Sequence, residues 1–124
     1  MDVKSREEII KFAQKLNSTN LSPLRSGNIS LKAQNNNEEG FLITPSGKKY
    51  DSLKANDIVF VSLDGKYEKG LQPSSEWRFH KDIYLKKFDA KAIVHAHSPH
   101  ATAVSAHNKD IPAFHYMIAL AGGN

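Results

Sequence analysis

His95-Ala96-His97 sets two imidazoles two residues apart. On an extended strand that spacing sends both side chains to one face, where they can reach a single metal ion. A catalytic zinc takes three protein ligands and keeps a position open for substrate, so the pair is part of a site and needs a third donor. Packed or surface histidines show the same pattern, and context has to separate the two. Cysteine is absent from the 124 residues, which leaves histidine and carboxylates to complete any transition-metal site.

The context is Pro73-Ser-Ser-Glu-Trp-Arg-Phe-His80. Hydroxyls of Ser74 and Ser75 beside the free N–H groups of a helix start make an anion site of the kind that takes phosphate. Glu76, in the same turn, is a carboxylate that can abstract a proton from carbon next to a metal-polarised carbonyl. Its plainer reading is a first-turn charge opposing the helix dipole. Gly27-Asn28 and Ser46-Gly47 are two further small polar pairs, each beside a predicted strand. Such turns can aim backbone N–H groups at a phosphate, and each alone is also an ordinary turn.

These residues need elements to hold them. Ser5-Arg-Glu-Glu8 has capping-box spacing, and Ile9, Phe12, Ala13 and Leu16 fall on one helical face, so an amphipathic helix opens the chain. Asn28–Ala33 alternates like a strand, 35–40 reads as a loop, and Phe41–Ile43 is a second strand. Ile58–Leu63 is a third, and Asp64-Gly65 predicts a hairpin into a strand over Lys66–Glu68. A helix is expected from Ser74 or Ser75 to about Phe88, a strand over Ala92–His97, and a short helix from Pro99 to about His107, stopped at Asn108.

Composition narrows the function. The net charge is +4, but the lysines are scattered and no basic stripe interleaves with aromatics, which argues against nucleic acid. The first ten residues are charged where a signal peptide is apolar, and no run of about 18 apolar residues exists to span a membrane. The expectation is one soluble, cytoplasmic domain over residues 1–124.

Five segments together, Ser26–Ser30, Leu42–Gly47, Pro73–His80, His95–His97 and Ile111–Ile118, resemble in order and spacing the class II aldolase/adducin family. The run from His115 through Asn124 extends the likeness over nearly the whole chain. The resemblance implies a three-layer α/β/α fold with a mixed, mostly antiparallel central sheet, assembled as a homotetramer with sites between subunits. It implies that Gly27, Asn28, Ser46, Gly47, Ser74 and Ser75 bind the phosphate of a small sugar-phosphate substrate. It makes His95 and His97, with Glu76, ligands of one Zn2+, and Glu76 the acid/base. Tyr116 would act from a neighbouring subunit as the proton donor to the aldehyde oxygen. The implied reaction is cleavage of L-fuculose 1-phosphate to dihydroxyacetone phosphate and L-lactaldehyde, with no Schiff-base lysine.

Family members continue past this point, so the resemblance places a third zinc histidine beyond residue 124 and leaves the domain incomplete at its C-terminus. It gives no ligand role to His80, His100, His107 or His115. Two alternatives stand beside the aldolase. Pentulose-phosphate 4-epimerases of the family carry Asp where this chain has Glu76, and adducin-like modules keep the fold without the metal histidines.

Overall fold

The computed structural model describes residues 3–24, 26–120 and 122. Helix α1 spans Val3–Ser18 and buries Arg6, Ile9, Ala13 and Leu16, the i, i+3, i+4 stripe of an amphipathic helix. Ser5 lies inside this helix, so the capping box expected there does not mark its start. Arg6 is the unexpected member of the buried face. Its guanidinium donates to the carbonyls of Ala55 (3.0 Å) and Ile58, clamping the 3-10 turn Ala55–Asp57 against the helix.

Four strands follow: β1 Asn28–Asn35, β2 Glu38–Ile43, β3 Val59–Ser62 and β4 Ala92–His95. They form one sheet in the order β3-β2-β1-β4, and every pairing is antiparallel. Helix α2, Trp77–Lys86, precedes β4, and two shorter helices, α3 Pro99–Ala106 and α4 Met117–Leu120, follow it.

The period-2 alternation of the strands divides the interior into two cores. Ile29, Leu42 and Phe60 face α1 and pack with Ile9, Ala13, Leu16, Tyr50, Leu53 and Ile58. Phe41, Ile43, Val59 and Val61 face the other way, toward Tyr84 of α2. A sheet covered by a helix on each face is the expected three-layer arrangement.

The structure departs from the sequence expectations in local places with local causes. The loop over 35–40 is instead a two-residue turn, with Asn35 paired to Glu38. Asn36 and Asn37 take φ of 48° and 66°, the left-handed pair that a tight hairpin requires and asparagine tolerates. Asp64-Gly65 does turn the chain, but Lys66–Glu68 is not a strand; one bridge, Val61 to Tyr67, is all that pairs there. Helix α2 begins at Trp77 rather than at Ser74 or Ser75, with Glu76 as N-cap. The Ser74 N–H is bonded to the Thr44 carbonyl at 2.9 Å, and Pro45 bridges Pro73, so the serines are tied to the end of β2 before the helix can start. The helix ends at Lys86, leaving Phe88 81 % exposed. Strand β4 stops at His95, two residues early, and the four-residue α4 had no sequence signal.

Candidate active site

The end of β4 and the start of α2 meet beside the first residues of β1. Asn28 is the register partner of His95, and both point to the α2 face. His95 Nε2 lies 2.8 Å from His97 Nε2 and 3.5 Å from Glu76 Oε2. All three residues are half-buried, and their ligand atoms lie within 4.8 Å of one another.

Two backbone devices bring the histidines there. The His97 N–H donates to Oγ of the fully buried Ser22 at 2.7 Å, which holds the chain after β4 against the loop before β1. Gly27 makes that approach possible. It has φ +80°, and a Cβ would stand 2.6 Å from both the His95 carbonyl and Ser22 Oγ, so a side chain would prise the loop from the strand. The Tyr50 hydroxyl donates to the Gly27 carbonyl at 2.5 Å. Burial raises the Tyr50 phenol above its ordinary value, and the nearby charge of Glu76 adds to the shift.

The donor set fits a divalent cation. Tetrahedral zinc at ~2 Å from each ligand separates the donor atoms by roughly 3.3 Å. The 2.8 Å and 3.5 Å separations lie on either side of that value. Two imidazoles with one carboxylate is moreover a ligand type that catalytic zinc uses. Glu76 is aimed by a hydrogen bond from Asn28 Nδ2 to Oε2 at 2.6 Å.

Beside this group lies a cleft of about 230 Å³ lined by Gly27, Asn28, Ser46, Gly47, Ser74 and Ser75 together with Glu76 and His97. The six small polar residues named from three separate segments of sequence therefore converge on one cavity. Ser74 is buried, while Ser46, Gly47 and Ser75 are open to solvent. The cavity sits at the N-terminal end of α2, where the helix dipole favours negative charge.

Tyr116 is not brought into the cleft. It lies before α4, 74 % exposed, with its ring tilted against His115 at 4.5 Å. His100, on the first turn of α3, is exposed and outside the Glu76–His95–His97 group.

Sequence reading gave no binding role to Ser26, Pro45, Lys48 or Tyr50, which also line the cleft. Lys48 carries a cation at its rim, paired to Asp57 at 2.5 Å; the Lys48 hydrogen bond holds the Asp57 carboxyl below its usual range. The larger omission is His80. It is fully buried, its Nε2 meets Asn28 Oδ1, and its Nδ1 lies 2.7 Å from Ser30 Oγ. Its pKa is lowered to about 4, by burial first and then by the neighbouring His95, with Glu76 opposing the shift. The available signal was its position four residues after Glu76, one turn along the same helical face.

Comparison with known proteins gives the chain its relatives. The chain is 46 % identical over 121 residues to L-fuculose phosphate aldolase from Escherichia coli, covering 98 % of this chain and 54 % of that protein. It is 43 % identical over 119 residues to 5-methylthioribulose-1-phosphate/5-deoxyribulose-1-phosphate aldolase from Rhodospirillum rubrum, covering 96 % and 52 %. A solved structure of L-fuculose 1-phosphate aldolase superposes with a TM-score of 0.83 at 36 % identity, over 96 % of this chain and 56 % of that one. The chain thus spans about half the length of the relatives it matches. Residues 7–124 match the family described as Class II Aldolase and Adducin N-terminal domain, and the chain belongs to that family.

Proposed function

We propose that this chain carries the phosphate pocket and metal group of a cytoplasmic, zinc-dependent aldolase that cleaves L-fuculose 1-phosphate to dihydroxyacetone phosphate and L-lactaldehyde. The observation that carries the reading is the position of Glu76. It is a carboxylate 3.5 Å from His95 Nε2 on the wall of a cleft that also gathers six small polar residues. A base, one imidazole and an anion pocket in one cavity, with a second imidazole beside it, fit a ketose phosphate better than any other small-molecule class.

Glu76, His95 and His97 would hold the zinc. When bound, the ion would supply Lewis-acid stabilisation of negative charge on substrate oxygens. The remaining work falls to the chain. Ser74 and Ser75, with Ser46, Gly47, Gly27 and Asn28, bind the phosphate and so fix which substrate carbon faces Glu76. As the bond between carbons 3 and 4 breaks, the proton of the carbon 4 hydroxyl passes to the Tyr116 oxygen of a neighbouring subunit and Glu76 returns a proton to carbon 3. In the condensation direction Glu76 takes the carbon 3 proton and Tyr116, reaching a neighbouring subunit of a homotetramer, gives one to the aldehyde oxygen. The ring's 74 % exposure leaves it open to such a neighbour.

The test is lactaldehyde release from L-fuculose 1-phosphate by the zinc-loaded protein, with 5-deoxyribulose 1-phosphate as the competing substrate. Glu76→Gln should lower turnover by about 10³-fold, within the range for losing a general base. A zinc-loaded protein that turns over neither ketose phosphate, or a fully active Gln variant, would overturn the reading.

A further inference from the structure

Four polar side chains lie on the α2 face of the sheet with almost no exposure: Asn28 at 2 %, Ser30 and His80 at 0 %, and Tyr84 at 2 %. They form a continuous chain. Tyr84 Oη is 2.9 Å from Ser30 Oγ, Ser30 Oγ is 2.7 Å from His80 Nδ1, His80 Nε2 meets Asn28 Oδ1, and Asn28 Nδ2 is 2.6 Å from Glu76 Oε2. Nothing in an aldol reaction requires Tyr84, Ser30 or His80, and none of them lines the cleft.

Hydrogen-bond accounting assigns the protons. An ionised carboxylate only accepts, so the amide edge that faces Glu76 must be the NH₂ group. Asn28 Oδ1 therefore faces His80, and because a carbonyl oxygen only accepts, His80 Nε2 must carry the proton. A neutral imidazole then accepts at Nδ1, the Ser30 hydroxyl donates to it, and the Tyr84 hydroxyl donates to Ser30. Every hydrogen runs toward Glu76. Turning the Asn28 amide over would set its oxygen against the carboxylate, two acceptors in contact, and its NH₂ against a ring N–H.

We propose that His80 is a positioning residue: through its Nε2–H it fixes which edge of Asn28 faces Glu76, and so holds the carboxylate in line with His95. The Asn28 side chain on this account is a carboxylate holder, and what Asn28 offers a phosphate comes from the rest of the residue. Complete burial keeps His80 in the neutral form that this order needs. The hydrogen-bond order stands on geometry alone, while its catalytic consequence rests on the reading of Glu76 given above.

Two measurements separate these. In the unmodified, metal-free protein at pH 7, ¹⁵N NMR should find His80 neutral, with the proton on Nε2 and Nδ1 unprotonated. A proton on Nδ1, or a charged ring, overturns the proposal without reference to zinc or substrate. The second is calorimetric titration with zinc. His80→Gln places an amide NH₂ near the Nε2 position and should keep affinity within about twofold, whereas His80→Phe, which cannot donate, should weaken it about tenfold. A Phe variant that binds like the parent, or a Gln variant as weak as Phe, overturns the proposal. Should the Phe variant not fold, or the parent bind no zinc, the ¹⁵N result decides alone, and the second outcome counts against the metal reading instead.

Discussion

Strand β1 turns Ile29 and Leu31 toward α1 and Asn28 and Ser30 toward α2. The α1 face is filled by aliphatic and aromatic side chains and is tied together by burial. The α2 face has an apolar half, with Phe41, Ile43, Val59 and Val61 against Tyr84, and a polar half next to the metal group. Phe41 and Tyr84 join the two halves, their rings 5.3 Å apart. A strand shared by both faces means that one stretch of backbone fixes the hydrophobic core and the site. The apolar face tolerates anything of similar shape, whereas the polar face specifies donors and acceptors one by one.

The first way to break this division is on the apolar side. Leu42 is 1 % exposed and faces α1, so Leu42→Ala should cost about 3 to 4 kcal/mol through lost transfer energy and the cavity left behind. Urea unfolding followed by circular dichroism measures it. The fraction that remains folded should bind zinc as tightly as the parent, and a large loss of affinity per folded molecule would mean that the faces are coupled.

The polar face should announce itself through pH. His80 is held at about 4 against an ordinary 6.5. Above pH 6.5 the ring is neutral in both folded and unfolded chains and contributes no pH dependence. As pH falls from 6.5 to 4, the unfolded chain takes up the proton first, so stability is lost across that window, by about 3 kcal/mol. Comparing urea midpoints at pH 7 and pH 4.5 for the parent and for His80→Gln isolates this residue. The variant should lose less on acidification, and parallel curves would contradict the depressed pKa. Ser30→Ala should come next, at about 2 kcal/mol, because it strands the buried His80 Nδ1 and the Tyr84 hydroxyl. If that substitution is neutral by denaturant titration, the chain from Tyr84 is not a single network.

The same contrast explains what could be read before the structure. Apolar periodicity is local, and it located α1, the four strands and α2 to within a few residues, while the equally local Ser98-Pro99 start signal located α3. Small polar residues in three turns were grouped because their segments resemble a family, and they do line one cleft. What escaped depends on partners distant in sequence. His80 and Asn28 are 52 residues apart, and Arg6 meets Ile58 across the same separation, so neither a lone buried histidine nor a buried arginine had a visible partner. Starting α2 at the serines failed for the same reason, since the bond that holds Ser74 comes from Thr44. Lys66–Glu68 had strand-like residues but only one bridge to form.

The smallest effect belongs to the turn that serves both faces and touches neither. Asn36 and Asn37 are exposed and both left-handed, at φ 48° and 66°. Asparagine tolerates that region at a cost that glycine does not have. Asn37→Gly would give the Asn-Gly pair most favoured in this turn and should stabilise the chain by about 0.5 kcal/mol. For a chain of this size that is a rise of roughly 1–3 °C in melting temperature by calorimetry. Zinc affinity and the pH profile should not change, because the Asn35–Glu38 pairing lies at the far end of β1 from Asn28. A lower melting temperature would mean that the turn is held by its side chains rather than by its backbone. A changed zinc affinity would mean that strain at the hairpin reaches the site along β1.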